Sequence, residues 1–287
     1  GLSFSVPWAT KNTYSTDWVG SLHAVKTELT TYNFTPSVSY RINSTLTLAL
    51  GPQIQMARGV LSSAGDWVLY LLNKAQGMAD HYLEFPRALV EYDGTSTSYG
   101  FITGVLLQPT NDLRLGVSYR SQIRHESKGD VKISPLDEDA KGLAATSQDK
   151  LPGSLDITTP RVVSLGLAYS PTTFVELYAN ATHTGWSVVE ELRLRFMDSE
   201  MGSQSESITK LAYRDSTYVA LGGKYKFSEV VAFRAGFALE QGVAEDKYRT
   251  PRTPDSDRKI IVHKSLKCIN YNFIVHRSSI LRMRVQN

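Results

Sequence analysis

The stretch from Thr103 to His125 constrains the fold more than any other part of the chain. It contains a turn-forming cluster, residues 108–112, between two runs in which apolar and polar residues alternate. Alternation with a period of two is typical of a β-strand with one apolar and one polar face. The polar face carries Arg114, Arg120 and Arg124, which a packed core would not accept. The stretch therefore predicts either a sheet with one solvated side or a barrel with lipid outside and polar residues inside.

Similar hairpins recur along the chain. Tight turns are predicted near positions 43, 110, 171 and 228, about 60 residues apart, with long polar connections between them. Short turns at one end and long loops at the other are typical of an up-and-down meander, whereas a sandwich would show turns every 8–12 residues or so. The sequence predicts an all-β, antiparallel, transmembrane β-barrel. A soluble β domain is the alternative.

One connection has a different pattern. Residues 66–75 show no alternation and predict a short apolar helix in a long loop, with Asp66 near its N-cap. No run in the chain approaches the roughly 20 consecutive apolar residues of a transmembrane helix.

Composition argues against several classes of function. The single cysteine, Cys268, excludes an internal disulfide framework and a cysteine-based zinc site. The six histidines are scattered without metal-ligand spacing, and no arrangement of nucleophile, base and acid stands out. Basic residues of the body alternate with apolar ones and form no patch for nucleic acid. We therefore expect no enzyme activity, no metal, no cofactor and no nucleic-acid partner.

The C-terminal segment departs from this pattern. Residues 259–287 contain six Lys and Arg residues and no acid, and they alternate poorly. We expect two regions: residues 1–258 form part of a barrel, and residues 259–287 form an atypical basic tail that is truncated or frameshifted. No signal peptide is visible before the first strand, which we interpret as a missing N-terminus.

Several segments resemble the FadL-type family of outer-membrane transporters of long-chain fatty acids and other hydrophobic compounds. They keep the family's order and cover roughly residues 1–258. The segments read F-S-V-P-W, D-W-V-G-S-L-H-A-V-K-T-E-L, G-V-L-L-Q-P-T-N-D-L-R-L-G-V-S-Y-R-S, L-D-I-T-T-P, W-S-V-V-E-E-L and Y-R-T-P-R-T-P-D-S-D-R. The third and the last are the most specific.

The resemblance implies a barrel of about 14 strands in the bacterial outer membrane, of which this chain covers roughly 9–10. It also implies an N-terminal hatch, a monomeric state, contact with outer-membrane lipid, and passive uptake of a long-chain fatty acid or another hydrophobic small molecule. A kink in the third strand would open a lateral route into the membrane. That kink falls at Pro7, Trp8 and Ala9, where family members often carry glycine in place of Ala9.

The resemblance also implies the ligand-binding residues. The loop helix would supply one wall of an extracellular capture groove, through Trp67, Leu69, Tyr70 and Leu72, unless it merely packs on the rim. Lys210 lies within one position of a basic residue of the family's inner pocket, although an ordinary rim lysine is the alternative. The family's second basic position corresponds to Ser63, with Arg58 a few residues earlier, so Arg58 is the second candidate cation.

Three functions are compatible with these features. The leading hypothesis is passive transport of hydrophobic molecules by capture in a loop groove and lateral release. A structural or adhesion barrel, or a general porin without a specific hydrophobic ligand, is the main alternative. An outer-membrane hydrolase is a third, and it would need a serine, a histidine and an acid together.

Overall fold

A computed structural model describes residues 1–65, 88–136, 150–198, 203–267 and 277–284. The predicted helix at residues 66–75 lies outside these residues. Within them the chain is almost entirely β-structure, with two short 3-10 helices, Trp186–Val188 and Asp246–Tyr248. None of the described residues belongs to a helix that is long and apolar enough to cross a membrane.

The described part of the chain forms seventeen strand segments in one antiparallel sheet. The first eight are β1 Leu2–Ser5, β2 Ala9–Thr13, β3 Lys26–Pro36, β4 Val38–Arg41, β5 Leu46–Gly65, β6 Ala88–Thr110, β7 Leu113–Arg120 and β8 Ile123–Pro135. The other nine are β9 Leu151–Thr159, β10 Val162–Tyr169, β11 Val175–Thr184, β12 Glu191–Asp198, β13 Ser203–Lys210, β14 Ser216–Lys226, β15 Val231–Glu240, β16 Arg258–Lys267 and β17 Arg277–Arg284.

Many segments are halves of one long strand. Both β1 and β2 pair with β3, for example, and β6 pairs with both β7 and β8. We call each full strand, whether continuous or interrupted, a strand position. Six strand positions consist of two segments each and five consist of one, so the described residues form eleven positions. Each position pairs with the next one along the chain, which confirms the predicted up-and-down meander.

The sheet continues past residue 258. β16 pairs with β15 along its whole length, and β17 pairs with β16. These two strands lie in the segment that we expected to depart from the barrel, and they explain why eleven positions are found where 9–10 were expected. Among the described residues, β1 and β2 pair with β3 and β17 pairs with β16, and no pairing joins β17 to β1 or β2.

The predicted tight turns lie at one end of the sheet, which we call the turn side. Three of them are closed by a side chain that accepts backbone N–H groups of its own turn. Asn43 Oδ1 accepts from Thr45 and Leu46 at 2.8 Å, and Thr172 and Ser228 do the same with their hydroxyls. Local hydrogen bonds of this kind are why Asn, Ser and Thr favour turns. The opposite end, with the longer connections, is the loop side.

The outer face of the sheet is apolar and exposed. Leu50 is 59% exposed, Leu221 60% and Phe227 67%. In β5 these outward residues alternate with Gln53, Gln55 and other buried inward residues. Soluble proteins rarely expose continuous apolar surface of this kind, so the outer face is suited to lipid. Leu115 and Val117 lie on this face, paired with Leu167 and Leu165, as the alternation predicted.

Candidate functional site

The first strand is interrupted between β1 and β2. Ser5 pairs with Asn33, and Ala9 pairs with Thr30, so the three residues from Val6 to Trp8 face only two residues of β3. This is the geometry of a β-bulge, in which an extra residue bends the strand. Pro7 favours it because proline has no N–H to donate to the ladder. We call residues 6–8 the strand break.

A buried threonine holds the strand break in place. Thr31 is fully buried, and its hydroxyl both accepts from the Trp8 N–H at 3.1 Å and donates to the Trp8 carbonyl at 3.0 Å. The Thr31 N–H donates to the same carbonyl at 2.9 Å. The backbone of Trp8 therefore keeps hydrogen-bond partners although the regular ladder stops there.

A cavity of about 340 Å³ lies inside the sheet against the strand break. Pro7, Trp8 and Ala9 line it on that side, and most of the remaining surface is apolar. Its apolar lining comes from Leu29, Leu61, Leu155, Ile157, Trp186, Val189, Leu192, Leu211, Tyr213 and Val243. Leu155, Val189, Leu192 and Leu211 belong to the main buried cluster of the described residues, so this wall of the cavity is well packed.

Three aromatic rings line up across the cavity wall. The Trp186 ring meets Trp8 edge-on at 5.0 Å between centroids and Tyr213 at 6.1 Å. Edge-to-face pairs at these distances are favourable beyond the area that they bury. They connect the strand break to the segment between β11 and β12, which carries Trp186, and to the segment between β13 and β14, which carries Tyr213.

Hydrogen bonds fix the two segments that carry these rings. Asp215 Oδ1 accepts from the Ser187 N–H at 2.8 Å, which anchors the 3-10 helix containing Trp186. Hydrogen bonds from Ser187 hold the pKa of Asp215 below its ordinary value. Burial raises the pKa of Tyr213, whose hydroxyl bonds to Thr253.

Between Leu211 and Tyr213, Ala212 has a φ of 43°. This left-handed conformation is uncommon for any residue with a side chain other than Asn or Asp, and strain of this kind clusters at binding sites.

One side of the cavity is charged, but its charges are paired. Arg258 contacts Glu240 at 3.0 Å and also Asp255. Asp255 accepts in addition from the Val243 N–H at 2.7 Å, and Asp257 accepts from the Gly242 N–H at 2.8 Å. The segment between β15 and β16 is therefore tied down by its own acids.

A layer of polar side chains lies inside the sheet on the turn side of the cavity. Gln55 Oε1 accepts from the Thr159 hydroxyl at 3.2 Å and lies 2.9 Å from His125 Nε2. Because an amide oxygen only accepts, Nε2 carries the proton and Nδ1 accepts from Ser96 at 3.0 Å. Gln55 Nε2 also reaches Asn33 Oδ1, at 3.5 Å. We call these five residues the polar layer.

Of the residues singled out from the sequence, the structure brings Pro7, Trp8 and Ala9 to the cavity. It does not bring Arg58 there: this residue lies on the outer face of β5, exposed, and binds Asp93 through two nitrogens at 3.0 and 2.6 Å. Lys210 is also exposed, with its Nζ 5.0 Å from the centre of the Tyr248 ring.

The predicted groove residues, Trp67, Leu69, Tyr70 and Leu72, lie outside the described residues. Sequence reasoning missed Trp186, although the W-S-V-V-E-E-L segment that contains it was noted. Among the described residues no group of three or more His, Cys, Asp and Glu side chains is arranged to hold a metal ion.

Comparison with known proteins agrees with this architecture. The model of the family described as outer membrane protein transport protein (OMPP1/FadL/TodX) matches residues 1–263. The chain is 27% identical over 266 residues to the 47 kDa outer membrane protein of Pasteurella multocida, covering 90% of this chain and 60% of that protein. It is 22% identical over 277 residues to the long-chain fatty acid transport protein of Escherichia coli K12, covering 90% and 61%. The chain thus spans about 60% of the length of these relatives.

Solved structures show the same fold. A crystal structure of a Pseudomonas aeruginosa FadL homologue superposes with a TM-score of 0.81 at 27% identity, covering 95% of this chain and 63% of that one. The Pseudomonas putida toluene transporter TodX superposes with a TM-score of 0.64 at 16% identity, covering 94% and 69%. With its apolar outer face and its meander, the chain is a bacterial outer-membrane β-barrel protein, and it belongs to the OMPP1/FadL/TodX family of outer-membrane transport proteins.

Proposed function

We propose that the protein passes hydrophobic molecules, most of all long-chain fatty acids, across the outer membrane without energy input. The observation that carries the proposal is the mostly apolar cavity of about 340 Å³ that reaches the strand break. Its volume lies within the range of roughly 300–1,000 Å³ that is usual for small-molecule sites. Relatives named for fatty acid transport and for toluene transport support the same class of ligand.

In the proposed route, a ligand enters from the loop side, rests in the cavity and leaves sideways at the strand break. Apolar burial drives binding, with each buried methylene contributing about 0.8 kcal/mol. The exit needs an opening between strands, and the strand break supplies a position where ladder pairing already stops. The aromatic contact between Trp8 and Trp186 would part as the ligand leaves.

The tryptophans at the cavity allow binding to be tested directly. Refolded protein is titrated with a brominated long-chain fatty acid, which quenches nearby indole fluorescence. We expect saturable quenching that is reduced in Trp186→Phe and retained in Trp18→Phe, because Trp18 stacks on Tyr14 outside the cavity lining. Saturable quenching that is equal in both variants would place the ligand elsewhere, and the absence of saturation would refute the proposal.

The lateral exit is tested by removing the extra residue. Deleting Pro7 leaves two residues opposite two and restores a regular ladder, whereas Pro7→Ala keeps the residue count. In cells that express the full-length gene product and lack other fatty acid transporters, we expect the deletion to abolish uptake of a labelled fatty acid while binding persists. Pro7→Ala should retain most uptake. Wild-type uptake by the deletion variant would exclude the strand break as the exit, and conduction of small polar solutes would favour a porin.

A further inference from the structure

Four glycines form a row across the inner face of four neighbouring strands. In the register of the sheet, Gly59 of β5 lies opposite Gly94 of β6. Gly94 in turn lies opposite Gly129 of β8, and Gly129 lies opposite Gly153 of β9. We call these four residues the glycine row. Because glycine weakens a strand and has no side chain to pack, each member of the row needs a physical reason.

Packing gives that reason for three members of the row. A Cβ atom at Gly94 would lie 2.0 Å from the hydroxyl oxygen of Tyr92. At Gly129 a Cβ atom would lie 2.0 Å from a backbone carbonyl oxygen of β6, and at Gly153 it would lie 2.8 Å from Val131 Cγ2. The neighbouring strand and the Tyr92 side chain therefore leave no room for a larger residue at these positions.

Gly59 has no such neighbour among the described residues. The atom nearest to a Cβ at this position is Leu155 Cδ2, at 3.4 Å, which is an ordinary contact distance. The φ of Gly59 also lies outside the left-handed range that favours glycine. Neither packing nor backbone conformation requires a glycine here. The absent side chain leaves free space, and that space belongs to the cavity, which Gly59 lines together with Leu155 and its β3 partner Leu29.

The neighbours of Gly59 in β5 show which part of the cavity this space extends. Toward the loop side the next inward residue is Leu61, which also lines the cavity. Toward the turn side the next inward residues are Ala57, which is 3% exposed, and then Gln55 of the polar layer. Gly59 therefore lies at the deep end of the cavity lining in β5. Since the side chains of the polar layer bond to one another, this end favours the apolar end of a ligand over its head group.

We propose that Gly59 is a specificity-determining residue that sets the length of the apolar chain that the cavity accepts. The terminal methylenes of a long chain occupy the space that a side chain at residue 59 would fill. This inference rests on the proposed function and deepens it, because it names the residue that selects long chains over medium ones. Each methylene that can no longer be buried should weaken binding about fourfold.

Two fatty acids that differ only in chain length test the assignment. Palmitate has sixteen carbons and laurate has twelve, and both carry the same carboxylate. Binding of each is measured on refolded protein in lipid nanodiscs, with the free aqueous ligand quantified. In Gly59→Val, whose new side chain has three carbons, we expect palmitate affinity to fall more than tenfold and laurate affinity to stay within twofold. Gly59→Ala should lie between Gly59→Val and the wild type.

A second glycine provides a matched control. No described atom lies within 4 Å of a Cβ built at Gly166 of β10, so a side chain fits there as well, but Gly166 does not line the cavity. Gly166→Val should therefore change neither affinity. Valine is favoured in strands where glycine is not, so neither substitution should prevent folding, and heat-modifiable migration on gels checks this.

The outcomes separate this inference from the proposed function. An unchanged ratio of palmitate affinity to laurate affinity in folded Gly59→Val, whether both affinities fall or neither does, would overturn the role of Gly59 alone. The same change of ratio in Gly166→Val would also overturn it, because the effect would then not depend on the cavity. No saturable binding of either fatty acid to the wild type would overturn the proposed function.

Discussion

The cavity and the polar layer are built by the same strands and by side chains of the same face, yet their chemistry is opposite. In β5, Leu61 lines the cavity, whereas Gln55, six residues closer to the turn side, belongs to the polar layer. In β9, Leu155 and Ile157 line the cavity, and Thr159 bonds to Gln55 at the border. Strand alternation decides which side chains face inward, but it does not decide whether the interior is apolar or polar.

The interior is therefore apolar next to the strand break and polar on the turn side of the cavity. The polar layer satisfies its own donors and acceptors, so an apolar molecule that entered it would separate hydrogen-bonded groups without replacing their bonds. An apolar molecule in the cavity would not separate such hydrogen bonds, and the strand break forms part of the cavity wall. In the proposed route the polar layer is the floor that keeps a ligand in the cavity until it leaves sideways.

The largest effect is expected in the cavity wall. Leu211 is 2% exposed and packs in the main buried cluster, so Leu211→Ala should lower the free energy of unfolding by about 3 kcal/mol through lost packing. Urea unfolding in lipid vesicles measures this change. Val19→Ala is the control, since Val19 is fully exposed and should change stability by less than about 0.5 kcal/mol. Equal stability of both variants would mean that the wall is not packed as described.

The polar layer should respond differently. Gln55→Leu removes the acceptor of the His125 N–H and of the Thr159 hydroxyl, and we expect a loss of about 2 kcal/mol from these unsatisfied groups. Fatty acid affinity should stay within twofold of the wild type, because Gln55 does not line the cavity. Unfolding and binding measured on the same preparation separate the two effects. A large loss of affinity at unchanged stability would contradict the separation of the ligand-binding cavity from the polar layer.

Much of the strand arrangement could be predicted from the local pattern of apolar, polar and turn-forming residues. Alternation and turn residues predicted the hairpin around residues 108–112, and the family resemblance placed a kink at Pro7, Trp8 and Ala9, where the structure has the strand break. The direction of Arg58 could also have been predicted, because it is in phase with Ile54 and Met56, which lie on the outer face of β5. In a strand, neighbouring residues face opposite sides, so the alternation places Arg58 on the outer face and not on the face that lines the cavity.

The positions of other side chains could not be predicted from the residues next to them in the sequence. Lys210 ends β13, whose residues show no clear alternation of apolar and polar side chains. Arg252 lies in a segment without periodicity, and its partners Asn12 and Ser62 are 240 and 190 positions away in the sequence. Contacts between residues so far apart in the sequence depend on the arrangement of the whole sheet, not on any nearby residues.

A smaller effect is expected where the cavity meets the strand break. Trp8→Ala removes the edge-on contact with Trp186, a contact worth about 1 kcal/mol, so ligand dissociation should speed up about fivefold. Stopped-flow displacement of a bound fluorescent fatty acid measures the rate. Trp18→Ala, which removes a stacked pair outside the cavity lining, should leave the rate unchanged. An unchanged rate in Trp8→Ala would argue that the ligand does not pass this contact.

The smallest expected effect is a pH dependence of the stability that Asp215 provides by holding the 3-10 helix that contains Trp186. Asp215 has a lowered pKa in the folded protein because Ser187 donates to its carboxylate. A carboxyl group of this kind stabilises the fold above its unfolded pKa, about 3.9, and the contribution is lost as the pH falls through the lower folded value. Asp215→Asn should therefore be less stable than the wild type near neutral pH, by about 1 kcal/mol for one charged hydrogen bond.

The difference in unfolding free energy between the two proteins should shrink as the pH falls below the unfolded pKa of Asp215. Urea unfolding at a series of pH values measures it, and Asp112→Asn, exposed in the turn between β6 and β7, is the control for a general effect of charge. A difference that stayed constant down to strongly acidic pH would show that the charge of Asp215 does not hold the 3-10 helix. The cavity wall around Trp186 would then be stabilised by packing alone, whereas the polar layer is stabilised by hydrogen bonds.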